Sequence, residues 1–204
     1  MKEVKGWYLP DEDTHFEGYF EQAQTSEYQS KQRECALKYC DNFRLALDVG
    51  AHVGLWARPL TERFKSVQAF EPYPPYAQLL ELNAPAAVIH RQALGEKRGP
   101  ISLETPKENS GAAYVKEGSS HQMRSLDSYN FKDVDFIKID CEGYELPVIL
   151  GAADTLRMSS PVLIVEQKPQ KKGWPWGRYD ALSLLQDFGY KIVDRVIDDW
   201  VMKK

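Results

Sequence analysis

Cysteine is scarce in this chain of 204 residues: the three present, Cys35, Cys40 and Cys141, are odd in number and form no C-x-x-C pair. That pattern suggests neither a zinc site nor a disulfide framework, and a reducing cytoplasm is the expected compartment. Histidine is almost as sparse, with four residues at positions 15, 52, 90 and 121, so few imidazoles are available as bases. No apolar run reaches the roughly 18 residues that cross a bilayer, and the opening Met1-Lys2-Glu3-Val4-Lys5-Gly6-Trp7 lacks the apolar core of a signal peptide. No membrane partner is expected. Charge of one sign is also missing: 26 basic residues face 30 acidic ones, a formal net charge of -4, which gives no global attraction to a phosphate backbone and argues against nucleic acid as a partner. Repeats and low-complexity segments are absent. What remains, 43% apolar and 27% charged residues, is the composition of an ordinary globular domain large enough for a sheet covered on both faces.

The most informative stretch is Leu47-Asp48-Val49-Gly50-Ala51-His52-Val53-Gly54. It reads as a buried strand from Arg44 to Val49 running into a glycine loop, after which Leu55, Trp56, Ala57 and Leu60 begin a helical stripe. About twenty residues on, a distance familiar from dinucleotide sites, the run Val67-Gln68-Ala69-Phe70-Glu71 ends a second strand in a carboxylate suited to a ribose diol. A nicotinamide-dependent dehydrogenase is the first rival. Its fingerprint is G-x-G-x-x-G, whereas position 52 is His and the loop follows Asp48. A carboxylate there suits a ligand that carries an ammonium group and no phosphate, as S-adenosylmethionine does.

A third strand end, Val134-Asp135-Phe136-Ile137-Lys138-Ile139-Asp140, leads into Cys141-Glu142-Gly143-Tyr144-Glu145 and the helix-like Leu146 to Leu150. Asp-Val-Gly-Ala-x-x-Gly at 48–54, Phe-Glu-Pro at 70–72, Asn-Ser-Gly at 109–111, Ser-Leu-Asp at 125–127, Ile-Lys-Ile-Asp-x-Glu-Gly-Tyr-Glu at 137–145, Ile-Leu-Gly-Ala at 149–152 and Leu-Ile-Val-Glu at 163–166 occur in that order. Over roughly residues 40–195 the chain resembles the FkbM family of S-adenosylmethionine-dependent methyltransferases. His52 is a departure, since the family more often carries Asn there. The resemblance implies a class I methyltransferase (Rossmann-like) α/β fold, doubly wound around a mostly parallel seven-stranded sheet with an antiparallel C-terminal edge pair. It also implies methyl transfer to a hydroxyl of a sugar or other small-molecule acceptor. The remaining alternative is a cofactor-binding interaction module that no longer transfers methyl groups.

Strands are predicted near residues 44–49, 66–70, 87–91, 134–139 and 161–166, alternating with helical segments as in a parallel sheet built by right-handed crossovers. Residues 190–193 and 196–202 read as the edge pair. Between 94 and 118, Gly95, Gly99-Pro100, Pro106, Gly111 and Gly118 punctuate short alternating runs expected to form small hairpins over the sheet edge. Residues 1–43, aromatic and acidic at first and then polar and helical from 26 to 39, read as an N-terminal cap on a methyltransferase domain of 44–204, because about forty residues without metal or disulfide rarely hold a core of their own.

The expected cofactor contacts are Asp48, Gly50, Ala51, His52 and Gly54 of the loop, Glu71 and Pro72, Gln92 and Ala93 at the third strand end where adenine would rest, and Asp140. Asp140 and Glu142 are the expected catalytic pair, because methyl transfer to a hydroxyl needs the acceptor positioned and its proton removed. The bland reading of Glu142 is a cap on the helix starting near Gly143. His121, in a segment taken as a loop, is a further candidate base, Glu166 and Trp174 are candidate acceptor contacts, and no metal is predicted. Tyr73-Pro74-Pro75-Tyr76 imitates the base-gripping element of nucleic-acid amino-methyltransferases. It follows the second strand rather than the fourth, so its prolines are read as a helix start.

Overall fold

The structure, a computed structural model, describes residues 1–23, 25–106, 109–167 and 175–204. A short hairpin of β1 (Lys2–Val4) and β2 (Trp7–Leu9) is followed by α1 (His15–Ala23) and α2 (Ser30–Leu37). The alternating part runs through β3 (Leu45–Val49), α3 (Ala57–Thr61), β4 (Ser66–Phe70), α4 (Pro74–Asn83), β5 (Val88–His90) and β6 (Ala93–Leu94). A hairpin of β7 (Gly99–Glu104) and β8 (Tyr114–Arg124) precedes β9 (Val134–Ile139), α5 (Glu145–Leu150), α6 (Ala153–Ser159) and β10 (Val162–Glu166). The chain closes with α7 (Asp180–Asp187), β11 (Lys191–Val196) and β12 (Asp199–Lys203).

Seven strands form the central sheet in the order β11-β12-β10-β9-β3-β4-β5. From β10 to β5 the pairs are parallel, and β12 runs antiparallel to both β10 and β11. This is the expected doubly wound sheet with its antiparallel edge. The central strands are largely apolar because both faces are covered, with Lys138 a charged interruption in β9. Leu47, Val49, Ile137, Ile139, Leu163 and Val165 point into one layer, while Ala46, Ala69, Phe136 and Ile164 point into the other against Trp56, Leu60 and Phe64. Pro74 and Pro75 open α4, where a missing N–H costs nothing. Among the described residues, no helix is long and apolar enough to cross a membrane.

Two regions differ from the expectation. Residues 94–118 do not end in small hairpins: β8 extends through Gly118 and His121 to Arg124, and β6, β8 and β7 make a separate three-stranded sheet. The N-terminal segment carries more regular structure than its sequence suggests. Trp7, Leu9, Phe16 and Phe20 pack with Val53, Leu55, Tyr76 and Leu79 of the glycine loop and α4. Asn83 clamps the same junction, exchanging hydrogen bonds with the Tyr8 backbone at 2.8 and 2.9 Å and donating to the Val53 carbonyl at 2.7 Å.

Candidate active site

The C-terminal ends of β3, β4, β9 and β10 open into one cavity of about 570 Å³, within the range of small-molecule sites and at the end of the sheet where α/β folds bind ligands. Gly50, with φ of 80°, turns the chain out of β3. A Cβ at this position would lie 1.9 Å from the Asp140 carbonyl oxygen, so only glycine lets the two strand ends meet. The amides of Gly50 and Ala51 both donate to the Phe70 carbonyl, at 3.1 and 3.0 Å, which fastens the loop to the end of β4.

Glu71 stands where β4 ends, 6% exposed and on the cavity wall. Its carboxylate accepts the His52 amide at 3.0 Å and the Tyr73 amide at 2.8 Å, which leaves lone pairs on both oxygens for a diol. Burial pushes its pKa up to about 7 against the pull of those two amides. His52 takes the left-handed backbone conformation, φ 50°, and its ring packs on Phe16 and Tyr76 with centroids 5.3 and 4.6 Å away. Neither ring nitrogen meets a hydrogen-bond partner among the described residues, and burial lowers its pKa to about 4, so the imidazole is neutral. Both ring nitrogens are buried, which makes the neutral ring a packing group of the wall and a poor base. Gln92, Ala93 and Pro72 line the same end.

Asp140, Cys141 and Glu142 follow β9, and Asp140 and Glu142 line the cavity together with Glu166 from the end of β10. Oxygens of these three carboxylates lie within 4.8 Å of one another, and Lys138 brings a cation to 3.4 Å from Asp140. The N-cap position of α5 is Tyr144, not Glu142. Glu145 accepts the amides of Cys141 and Gly143 at 2.9 and 3.0 Å and closes the turn, while Glu142, left-handed at φ 53°, faces the cavity.

Other expected residues fall elsewhere. Asp48 does not reach the cavity surface: it is 0% exposed, behind Gly50, and ion-paired to Lys138 at 3.6 Å. Gly54 is also behind the wall, packed on Leu80 and Asn83 of α4. His121 sits in β8, not in a loop, paired with Ile101 and bonded through Nδ1 to the Ser120 hydroxyl at 2.8 Å, and it is not among the residues lining the cavity. Trp174 lies outside the described residues. The neighbouring Trp176 braces the site from behind, donating to the Gly143 carbonyl at 3.0 Å.

The sequence reading missed two parts of the wall. One is Lys138, buried in β9. The other is Tyr28, Gln29 and Gln32, which with His15 and Phe16 form an N-terminal side of the cavity wall that meets a second side at residues 109 and 111–115, Phe16 lying against Gly111. Asp13 links these two sides. Its carboxylate accepts the Phe16 amide at 2.9 Å, and from the far side it accepts the Ser110 amide at 2.9 Å and the Ser110 hydroxyl. Of the signature segments, Asn109-Ser110-Gly111 serves this clasp, and Ser125-Leu126-Asp127 serves α6, whose amides at 154 and 155 bond to Asp127 at 3.0 and 2.8 Å.

A family model described as the methyltransferase FkbM domain matches residues 48–192, well over half of the chain. The chain belongs to the FkbM methyltransferase family. Among solved structures it is similar to methyltransferase FkbM from Methylobacillus flagellatus KT, at 19% identity and a TM-score of 0.55 over 79% of this chain and 44% of that one. It is also similar to ribosomal protein L11 methylase from Lactobacillus delbrueckii subsp. bulgaricus (13% identity, TM-score 0.53, 85% of this chain and 76% of that one). A third likeness is to the N-methyltransferase NodS from Bradyrhizobium japonicum WM9 (10% identity, TM-score 0.53, 91% of this chain and 94% of that one). At these identities the structures establish the shared fold, and the chain spans less than half the length of the Methylobacillus protein. No curated protein matches.

Proposed function

We propose that this FkbM-family protein is an S-adenosylmethionine-dependent methyltransferase that acts on a hydroxyl of a sugar or other small polyol. The observation that carries the reading is the single cavity joining Glu71 and the Gly50–Ala51 loop to Asp140, Glu142 and Glu166. The residues fit the donor: a buried carboxylate with lone pairs to spare at Glu71, and apolar packing from Ala93, Leu94, Leu103 and Val115. When bound, the donor supplies an electrophilic methyl group on a sulfonium. The protein's part is then to hold the acceptor in line and receive its proton.

Asp140 and Glu142, held on one turn by the Glu145 hydrogen bonds, orient the acceptor hydroxyl, and Glu142 takes the proton. Glu166 receives a second hydroxyl of the polyol. Gln29 and Gln32, neutral donors and acceptors on the N-terminal side of the wall, suit the same chemistry. The FkbM family assignment and the methyltransferase neighbours support the class of reaction, and the row of carboxylates at the acceptor end supports the hydroxyl.

The test has two stages. S-adenosylhomocysteine should raise the melting temperature where NAD does not, and transfer of radiolabelled methyl from S-adenosylmethionine should appear with free sugars and inositols as acceptors. Glu142→Gln should slow single-turnover transfer by about a hundredfold or more, the usual scale of general-base assistance, without weakening S-adenosylhomocysteine. Stabilisation by NAD alone would sink the reading. Labelling of amines but no hydroxyl would move the acceptor class.

A further inference from the structure

Lys138 is a charged residue where a central strand calls for an apolar one. It is 5% exposed, on the second-last position of β9, with its alternate neighbours Phe136 and Val134 wholly buried. Strand register sets it opposite Asp48 of β3, and strand alternation places Asp140 on the same face. Its ammonium lies 3.6 Å from Asp48 Oδ1 and 3.4 Å from Asp140 Oδ2, donates to the Gly50 carbonyl at 3.3 Å, and stands 5.8 Å from the centre of the Trp56 ring. Burial works against this charge, yet Asp140, Asp48 and Glu166 together hold the amine above the ordinary lysine pKa.

Packing does not require this arrangement. Taking an ammonium and a carboxylate out of water costs several kcal/mol per ion before their attraction offsets it, and an apolar pair of similar volume commonly serves a core as well. What the lysine does that an apolar residue cannot is fix three polar groups from two strands: the Asp48 carboxylate, the Gly50 carbonyl and the Asp140 carboxylate. Lys138 and the last two line the cavity, at the end of the glycine loop away from Glu71, Gln92 and Ala93.

We propose that Lys138 is the positioning residue for the amino-acid end of the methyl donor: anchored from behind by the buried Asp48, it fixes the Gly50 carbonyl and the Asp140 carboxylate on the cavity wall, where they receive that end of the donor. The proposal rests on the S-adenosylmethionine reading above.

Two ligands separate this role from a merely structural one. S-adenosylhomocysteine carries the amino-acid end, whereas 5′-methylthioadenosine keeps the adenine, ribose and sulfur and lacks it. Calorimetry on Lys138→Met should show S-adenosylhomocysteine weakened by about tenfold to a hundredfold, the equivalent of one lost charge-assisted contact, with 5′-methylthioadenosine changed less than about threefold. Glu71→Gln should weaken both ligands alike. Because Lys138→Met leaves Asp48 buried beside no cation, the double variant Lys138→Met/Asp48→Asn is measured in parallel, and it should recover melting temperature while keeping the selective loss. Equal weakening of both ligands, unchanged S-adenosylhomocysteine affinity, or failure of both variants to fold would each make Lys138 a structural residue and overturn the proposal. A wild-type protein that binds neither ligand would instead overturn the donor assignment itself.

Discussion

Replacing Glu71 with glutamine should change stability by an amount that depends on pH, and the structure fixes the sign. In the folded protein burial moves the Glu71 pKa from its ordinary 4.5 to about 7. A carboxyl group with a raised folded pKa contributes stability in full below its unfolded pKa and loses it as pH rises through the folded one. The rise corresponds to about 3 kcal/mol lost between pH 4.5 and 7, an upper figure. A glutamine side chain has no such term. It does carry a cost of its own, because one of the two amides now on Glu71, from His52 or Tyr73, would face an NH₂ group instead of an oxygen, which costs about 1–3 kcal/mol. Glu71→Gln should therefore be less stable than wild type by about 1–3 kcal/mol at pH 5, and the gap should close or reverse by pH 8. Urea denaturation of both proteins at pH 5, 6, 7 and 8 measures it. A constant difference across that range would falsify the reasoning, since it would mean that Glu71 titrates as an ordinary surface carboxylate. Hydroxyls donating to the ionised form should also make S-adenosylhomocysteine bind more tightly as pH rises through about 7.

Gly50→Ala should fail in both stability and ligand binding, because its Cβ would overlap the Asp140 carbonyl and the backbone is left-handed there; a variant with wild-type melting temperature and affinity would show that the two strand ends are not held this closely. Asp13→Ala strips the acceptor from the Phe16 amide and from the Ser110 amide and hydroxyl, at about 1–3 kcal/mol for each donor left buried, and limited proteolysis should then cut within the first thirty or so residues; resistance equal to wild type would refute the clasp. Ile197 is a β-branched residue at φ 58° and 74% exposed, on the turn that borders the cavity. Removing its left-handed strain, roughly 1–2 kcal/mol less the entropy glycine adds to the unfolded chain, should leave Ile197→Gly as stable as wild type or up to about 1 kcal/mol more so by urea denaturation. A clear loss of stability would mean that the side chain packs.

The parallel sheet was legible because β3, β9 and β10 are covered on both faces and so are written as largely apolar runs, interrupted in β9 by Asp135 and Lys138, that end at Asp48, Asp140 and Glu166. Periodicity had less to say about β8, where Glu117-Gly118-Ser119-Ser120 has poor strand propensity and bulges out between the Lys116–Ser102 and His121–Ile101 pairs with β7. The hairpin of β1 and β2 has three residues per strand and is held by Asn83 and by the aromatic cluster around Phe16, both distant in sequence. Its place at a strand end makes Asp48 read as a direct ligand contact. The depth of Asp48 follows from Lys138, whose register opposite it only the pairing of β3 with β9 reveals. The signal for Lys138 was nevertheless present: a lysine inside an apolar strand, two residues before a carboxylate.

The tie between Lys138 and the Gly50 loop spans 88 residues of sequence, and that distance has a consequence for synthesis. At ribosomal speeds, Asp48 and the glycine loop wait on the order of ten seconds before the lysine that answers them is made. Until then β3 has β4 on one side and an open edge on the other, with a carboxylate near its tip that must stay in water. Closing the central strand pair late keeps contact order high and folding slow, and that unpaired edge is where a nascent chain would find a wrong neighbour. A hydrated Asp48 carboxylate at that stage disfavours burial of the edge, and only the Lys138 ammonium, 3.6 Å away in the finished sheet, gives it a partner behind the ligand site.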